Sequence, residues 1–119
     1  MRSTMTYGDI LAANLRAARA VARLHQETVA ERMRKMGYSA WRYQTVGQAE
    51  HGKRRVTVEE IIALALAFGT TVPALMSPSL GIQTVLLPSG DTIPAETIRG
   101  LCRGGFAFPV NWGDGDRVA

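Results

Sequence analysis

Residues 45–55 combine glutamine, small apolar residues and a run of cations at a spacing that favours one kind of chemistry. They predict a short polar helix with Gln48 on one face and Val46 and Ala49 on another, followed at once by three consecutive cations at positions 53–55. A glutamine amide offers a donor and an acceptor side by side to the edge of adenine, and cations suit phosphates. This stretch therefore predicts a helix that lies in a DNA groove.

Two helices are predicted before this stretch, and they must position it. Apolar residues at helical spacing predict a first helix over residues 7–22 and a second over residues 26–36. Gly37 is expected to end the second helix, because glycine tolerates the left-handed conformation found there. The polar helix itself is expected from about Trp41 to Gly52. The residues expected to face the core are Ile10, Leu11, Leu15, Ala18, Val29, Ala30 and Met33.

The chain after the cations predicts a buried helix and a short fifth helical turn. Thr57 and Glu60 have the spacing of a capping box. The helix that follows, ending at Gly69, is apolar nearly all round, so we expect it in the middle of the bundle. Its alternating apolar residues also fit a strand, but the capping box, the alanines and the length of the run favour a helix. Residues 73–76 complete a mostly α fold of five helices.

Residues 77–119 are predicted to form a small C-terminal extension of short strands and one helix. A strand is expected over residues 82–87, a turn over 88–91 and a helix from Pro94 to about Arg103. Residues 106–110 are apolar and fit a strand that returns to the first one. Residues 1–6 are expected to be frayed, and the end of the chain is expected to be flexible.

Composition places the chain among folded domains without an evident catalytic centre. It has 119 residues, 46% hydrophobic and 20% charged, and no apolar run near the ~20 residues of a membrane span. Its single cysteine, Cys102, has no internal disulfide partner, and the N-terminus lacks an apolar signal core, so we expect a cytoplasmic protein. His25 and His51 lack the cysteine or carboxylate partners expected of a metal-binding or catalytic site. We expect no enzyme activity, no metal and no cofactor.

The net charge of +4 is unevenly distributed along the chain. Residues 1–76 hold eleven Lys/Arg and six Asp/Glu, whereas residues 77–119 hold three and four. The basic excess therefore belongs to the first segment, as expected if that segment meets a polyanion.

A spaced set of residues over 7–76 carries a family resemblance. Its members are Leu15, Arg16 and Arg19, then Gln26, then Thr45, Val46, Glu50, Gly52 and Lys53, and finally Leu64, Ala65, Phe68, Gly69 and Leu75. This set resembles the lambda-repressor-like (Cro-type, XRE family) helix-turn-helix proteins, in which the third helix reads DNA. The resemblance implies a five-helix bundle over residues 7–76.

Residue roles follow from the resemblance. It implies a buried structural ion pair between Arg19 and Glu50. The residues implied to contact bases in the major groove are Tyr43, Gln44, Thr45 and Gln48. The residues implied to contact phosphates are Gln26, Arg42, Lys53, Arg54 and Arg55.

The chain departs from this family at three places. Its spacer between the second and third helices is longer, and Trp41 within it is interpreted as a packing residue rather than a stacking platform. His25 stands where a side-chain cap usually begins the second helix. Gly47 lies inside the third helix, where it either lets the backbone approach DNA or is only tolerated.

The expected function is a sequence-specific transcriptional regulator, most often a repressor in this family. Tight binding then calls for a homodimer on a palindrome, with residues 82–110 as the candidate interface. The alternative is a protein-interaction module, such as the antitoxin half of a toxin–antitoxin pair, acting through residues 77–119.

Overall fold

Six helices and a three-stranded sheet make up the described part of the chain. The structure, a computed structural model, describes residues 3–104 and Gly113. In chain order the elements are β1 Thr4–Thr6, α1 Tyr7–Ala22, α2 Gln26–Lys35, α3 Tyr43–Glu50, α4 Val58–Phe68, α5 Val72–Met76, β2 Thr84–Leu86, β3 Thr92–Pro94 and α6 Ala95–Arg103. The predicted mostly helical class is confirmed.

Local signals in the sequence set the helix ends. The Thr57 hydroxyl accepts a hydrogen bond from the Glu60 amide at 3.1 Å, and the Glu60 carboxylate accepts one from the Thr57 amide at 2.9 Å. The predicted capping box at the start of α4 is therefore confirmed. Gly69, with φ of 74°, ends α4 in the left-handed conformation. No side chain caps α2, whose N-cap position is occupied by His25.

The main core joins α1 to α5. Its most deeply buried side chains have at most 2% of their surface exposed, and they come from every one of these helices and from the α2–α3 connector: Leu15, Val29, Ala30, Met33, Trp41, Val46, Leu64, Ala67 and Leu75. The residues predicted to face inward from α2 are all among them. Trp41 fills the space under the long connector, as the packing interpretation predicted.

A second, smaller core attaches the extension to the outer side of α1. Ile10 of α1 packs with Ile82, Val85 and Ala95. Strand β2 lies in the middle of the sheet, antiparallel to β3 and parallel to β1. The expectation that residues 1–6 are frayed is wrong for Thr4–Thr6, because these residues pair with β2 immediately before the chain enters α1.

Helix α4 is not enclosed on all sides, contrary to the sequence prediction. Val58, Ile62 and Leu66 have 77%, 51% and 70% of their surface exposed. The apolar stripe of α4 is wider than the surface that its neighbours cover. The predicted strand at residues 106–110 and the predicted flexible end lie outside the described residues, apart from Gly113.

Among residues 3–104 no helix is both long enough and apolar enough to cross a bilayer.

Candidate nucleic-acid interface

Helix α3 presents one polar face to solvent. Val46, Ala49 and Glu50 are buried, whereas Tyr43, Gln44 and Gln48 are exposed. Gln44 and Gln48 are four residues apart and therefore neighbours on the same side of the helix. The single acidic residue of α3, Glu50, points inward, so the outer face carries amide and hydroxyl groups without negative charge.

The start of α3 is held by its own side chains. The Arg42 amide donates to the Thr45 hydroxyl at 3.1 Å. The Arg42 guanidinium, which is exposed, donates to the carbonyl oxygens of Ser39 at 2.9 Å and Trp41 at 3.1 Å. Thr45, predicted as a base contact, is half-buried, and its hydroxyl has a structural role at the helix start.

A buried carboxylate attaches α3 to α1. Glu50 is 1% exposed, and its two oxygens accept hydrogen bonds from Arg19 at 2.5 and 2.9 Å. Arg16 donates to the backbone carbonyl of Glu50. The hydrogen bond to Glu50 raises the pKa of Arg19, which keeps this guanidinium charged. The predicted structural ion pair is present in the structure, and it fixes the rotation of α3 about its axis.

Gln26 lies at the start of α2, close to α3. Its side-chain amide donates to the Glu50 carboxylate at 3.3 Å and lies next to Gly47. The side chain is therefore engaged within the protein. Because no side chain caps this helix start, the first backbone amides of α2 are the groups that can receive an anion there.

The three cations after α3 differ in their surroundings. Lys53 and Arg55 are exposed, and no acidic partner is recorded for either within residues 3–104. Arg54 donates to both oxygens of Glu60 at 3.1 and 3.0 Å. Its guanidinium also stacks 4.6 Å above the ring of Trp41. The three cations look alike in the sequence, whereas in the structure the guanidinium of Arg54 is directed toward the core.

Glu60 joins the connector, the basic stretch and α4. Besides Arg54, it accepts a hydrogen bond from the Trp41 indole at 3.0 Å and from the Thr57 amide. The hydrogen bonds from Arg54 lower the pKa of Glu60 to about 2 from its ordinary value of 4.5. The carboxylate is therefore charged at neutral pH, and it holds the start of α4 beside the end of α3.

His51 was not singled out as a contact residue by sequence reasoning. It is exposed at the end of α3, and its Nδ1 lies 2.7 Å from the Gly47 carbonyl oxygen. The only sequence signal was its position in the last turn expected for the polar helix, and in the structure it lies one residue beyond α3. No group of three or more potential metal-ligating side chains occurs in the part of the chain that the structure describes.

Away from this surface, Cys102 is partly buried in α6, and burial raises the pKa of its thiol. A raised pKa keeps the thiol protonated and poorly nucleophilic.

One solved structure resembles the chain in both fold and sequence. The crystal structure of the DNA-binding domain of BldD aligns with a TM-score of 0.50 and 34% sequence identity, covering 64% of this chain and 99% of that one. No protein-family model matches the chain, and no curated protein matches it.

The chain thus contains a helix-turn-helix domain, formed by α2, α3 and the helices that support them. It belongs to the family of helix-turn-helix DNA-binding domains that includes the domain of BldD.

Proposed function

We propose that this protein is a sequence-specific DNA-binding transcriptional regulator. The observation that carries the proposal is the outer face of α3, where Gln44 and Gln48 are exposed side by side and no acidic group interrupts them. The DNA-binding domain of BldD, at 34% identity, supports the same class of ligand.

Base recognition is assigned to the exposed side chains of α3. Gln44 and Gln48 each carry the donor and acceptor needed for a bidentate contact with adenine. Tyr43, with 52% of its surface exposed, adds a hydroxyl at the start of the same face. Thr45 contributes through its methyl group, because its hydroxyl is bonded to the Arg42 amide.

Phosphate contacts are assigned to groups on both sides of α3. The uncapped start of α2 at Gln26 offers backbone amides, and Arg42, Lys53 and Arg55 offer exposed cations. Arg54 is assigned a positioning role instead, since its guanidinium is held by Glu60 and Trp41. This assignment replaces the phosphate contact that the sequence predicted for Arg54.

The finer features of the proposal come from the sequence. We propose a cytoplasmic repressor of the lambda-repressor-like group that binds a palindromic operator as a homodimer, with residues 7–76 as the DNA-binding domain. A single helix reads only a few base pairs, so two copies on one face of the duplex give the required affinity and specificity. We propose no enzymatic role, since the sequence contains no recognisable nucleophile–base pair or metal spacing.

Selection of bound duplexes from a randomised DNA pool tests this proposal. We expect one enriched consensus with twofold symmetry. Lys53→Gln should then weaken binding to all sequences alike. It should also reduce the salt dependence of the binding constant by the amount expected for the loss of about one phosphate contact. Arg103→Gln, which makes the same charge change in the extension, should have no effect. A pool that shows no enrichment after repeated selection contradicts the proposal.

A protein-interaction role, such as that of an antitoxin, is the second candidate. The observation that favours it is an apolar groove between α5 and α6, lined by residues that include Tyr7, Val72, Met76, Ile98 and Leu101. Capture of a tight partner that differs from this chain, together with a failure to select any DNA sequence, would favour this function over the first.

A further inference from the structure

Helix α4 carries an apolar surface that no other part of the described chain covers. Val58, Ile62 and Leu66 are spaced by four residues, so they lie along one side of the helix. More than half of each side chain is exposed. Met36, at the end of α2, is 39% exposed and lines a shallow groove with Leu66. We call the surface formed by Met36, Val58, Ile62 and Leu66 the α4 stripe.

The α4 stripe is unlike the scattered apolar residues of an ordinary surface. Leu80, an exposed leucine elsewhere, lies alone in the loop between α5 and β2, whereas the stripe joins three residues of α4 to Met36 at the end of α2, a helix in contact with α4. Covering apolar surface removes it from water, so a contiguous stripe favours association. The partner must present a complementary apolar surface of similar length.

The charges at the two ends of the α4 stripe identify that partner. Glu59 is exposed at the end near Val58, whereas Arg32 and Lys35 line the groove at the end near Leu66. Lys35 is exposed, and no acidic partner is recorded for it among residues 3–104. Acid at one end and base at the other make the stripe complementary to a second copy of itself in the opposite direction.

The neighbouring cation Arg55 does not reverse this polarity. It lines a different surface depression, with Gly8 and Leu11 of α1, rather than the groove beside Leu66. Glu60, the other acidic residue at the start of α4, is buried and paired with Arg54. The acidic side chain left exposed at the start of α4 is therefore that of Glu59.

We infer that the α4 stripe is the contact between two copies of this chain, related by a twofold axis that sets the two α4 helices antiparallel. Glu59 of each copy faces Lys35 of the other, and the apolar residues meet between these pairs. The inference refines the homodimer of the proposed function, and it moves the contact from residues 82–110 to α4. No residue of α3 belongs to the stripe, so the contact itself buries no side chain of the proposed DNA-binding face.

The first test is the mass of the full chain in DNA-free solution, measured by sedimentation equilibrium over a range of concentrations. We expect a monomer–dimer equilibrium, and Leu66→Glu should weaken it at least tenfold because it places two carboxylates within the contact. Val21→Glu is the matched control. Val21 is 84% exposed on α1 and lines a surface depression that contains no residue of the stripe, so the dissociation constant of this variant should equal that of the wild type.

The second test addresses the direction of the contact. Glu59→Lys and Lys35→Glu should each weaken the dimer several-fold, and the double variant should restore it, because the swap re-forms both pairs with their signs exchanged. Thermal melts of all the variants should be similar at concentrations where every chain is monomeric, since these side chains are exposed. Failure of the double variant to recover would overturn the antiparallel arrangement.

A wild-type chain that stays monomeric throughout the concentration series overturns the inference, as does a Leu66→Glu variant that dimerises normally. Neither outcome bears on DNA recognition, because α3 is unchanged. Binding of the Leu66→Glu variant to a single half-site of the selected operator reports on the proposed function separately. Loss of this half-site binding would count against the assignment of recognition to α3.

Discussion

At the scale of single residues, Glu60 shows how one carboxylate determines the shape of the site. The Trp41 indole, the Arg54 guanidinium and the Thr57 amide all donate to it. The long connector before α3 and the basic stretch after α3 thus share one acceptor. The capping box alone would explain only the bond to Thr57, and the other two bonds give Glu60 a role in placing α3.

We predict that Glu60→Gln destabilises the protein at neutral pH and that the loss disappears in acid. The pKa of Glu60 is lowered in the folded state, so its stabilising contribution is present above pH 4.5 and is lost as the pH falls toward about 2. The shift from 4.5 to about 2 corresponds to a loss of up to about 3.5 kcal/mol, since one pKa unit corresponds to about 1.4 kcal/mol. Urea unfolding of wild type and variant across this pH range measures the difference.

Glu31→Gln is the matched control, because Glu31 is exposed on α2 and the structure records no cation paired with it among residues 3–104. Its free energy of unfolding should follow that of the wild type at every pH. A Glu60→Gln variant whose deficit does not change between pH 7 and pH 2 would show that the carboxylate charge is not what stabilises this cluster.

The sequence could predict some of these residue roles but not others. The pairing of Arg19 with Glu50 followed from the family resemblance, because both positions match its pattern. The different surroundings of Lys53 and Arg54 could not be predicted, since neighbouring cations look alike in a sequence. Which of them turns inward depends on the position of Trp41 and Glu60, and that position is known only once the helices are packed.

At the scale of elements, helices were predictable to within about two residues, whereas two of the three strands were not. Caps such as Thr57 and stops such as Gly69 act within a few residues, so the sequence shows them directly. Strands β1 and β3 have three residues each and form only because β2 lies between them. Pairing between residues 4–6 and 84–86 leaves no local signal.

The burial predicted for helix α4 was wrong for one side of the helix. Its sequence is apolar on nearly every side, and a helix of that kind is ordinarily enclosed. In this fold its neighbours cover only part of the circumference, and Val58, Ile62 and Leu66 remain outside. In a sequence, an apolar surface that binds another molecule cannot be distinguished from one that packs into the core.

Within α3, Gly47 leads to a prediction about helix propensity. A Cβ atom added there would have the Gln26 side-chain nitrogen as its nearest neighbour at 3.4 Å, which is an ordinary contact. Gly47→Ala should therefore raise the free energy of unfolding by roughly 1 kcal/mol, because alanine favours the helix over glycine. Thermal or urea unfolding measures the gain.

Gly8→Ala in α1 provides the comparison, since a Cβ at Gly8 meets nothing within 4 Å. We expect Gly47→Ala to keep its DNA sequence preference, because the added methyl group points toward Gln26. A stable variant that no longer binds DNA would show instead that the glycine is needed for close approach of the duplex. That result would decide between the two interpretations that the sequence left open.

At the scale of the whole molecule, the two proposed functions, DNA recognition and self-association, belong to different surfaces. The first 76 residues carry the positive excess, and the remainder is slightly acidic. The extension has its own small core against α1, on residues that do not belong to α3. The exposed face of α3 and the α4 stripe involve different side chains, so recognition and self-association can be altered independently.

The proposed function rests above all on recognition of DNA bases by Gln44 and Gln48. Its most direct test is the ratio of affinities for the selected operator and for a scrambled duplex at a fixed salt concentration, measured for wild type, Gln44→Ala and Gln48→Ala. We expect the wild type to prefer the operator, and each variant to lose about 1–3 kcal/mol of that preference while binding the scrambled duplex unchanged. Equal affinity of the wild type for both duplexes, or an undiminished preference in both variants, would contradict the claim.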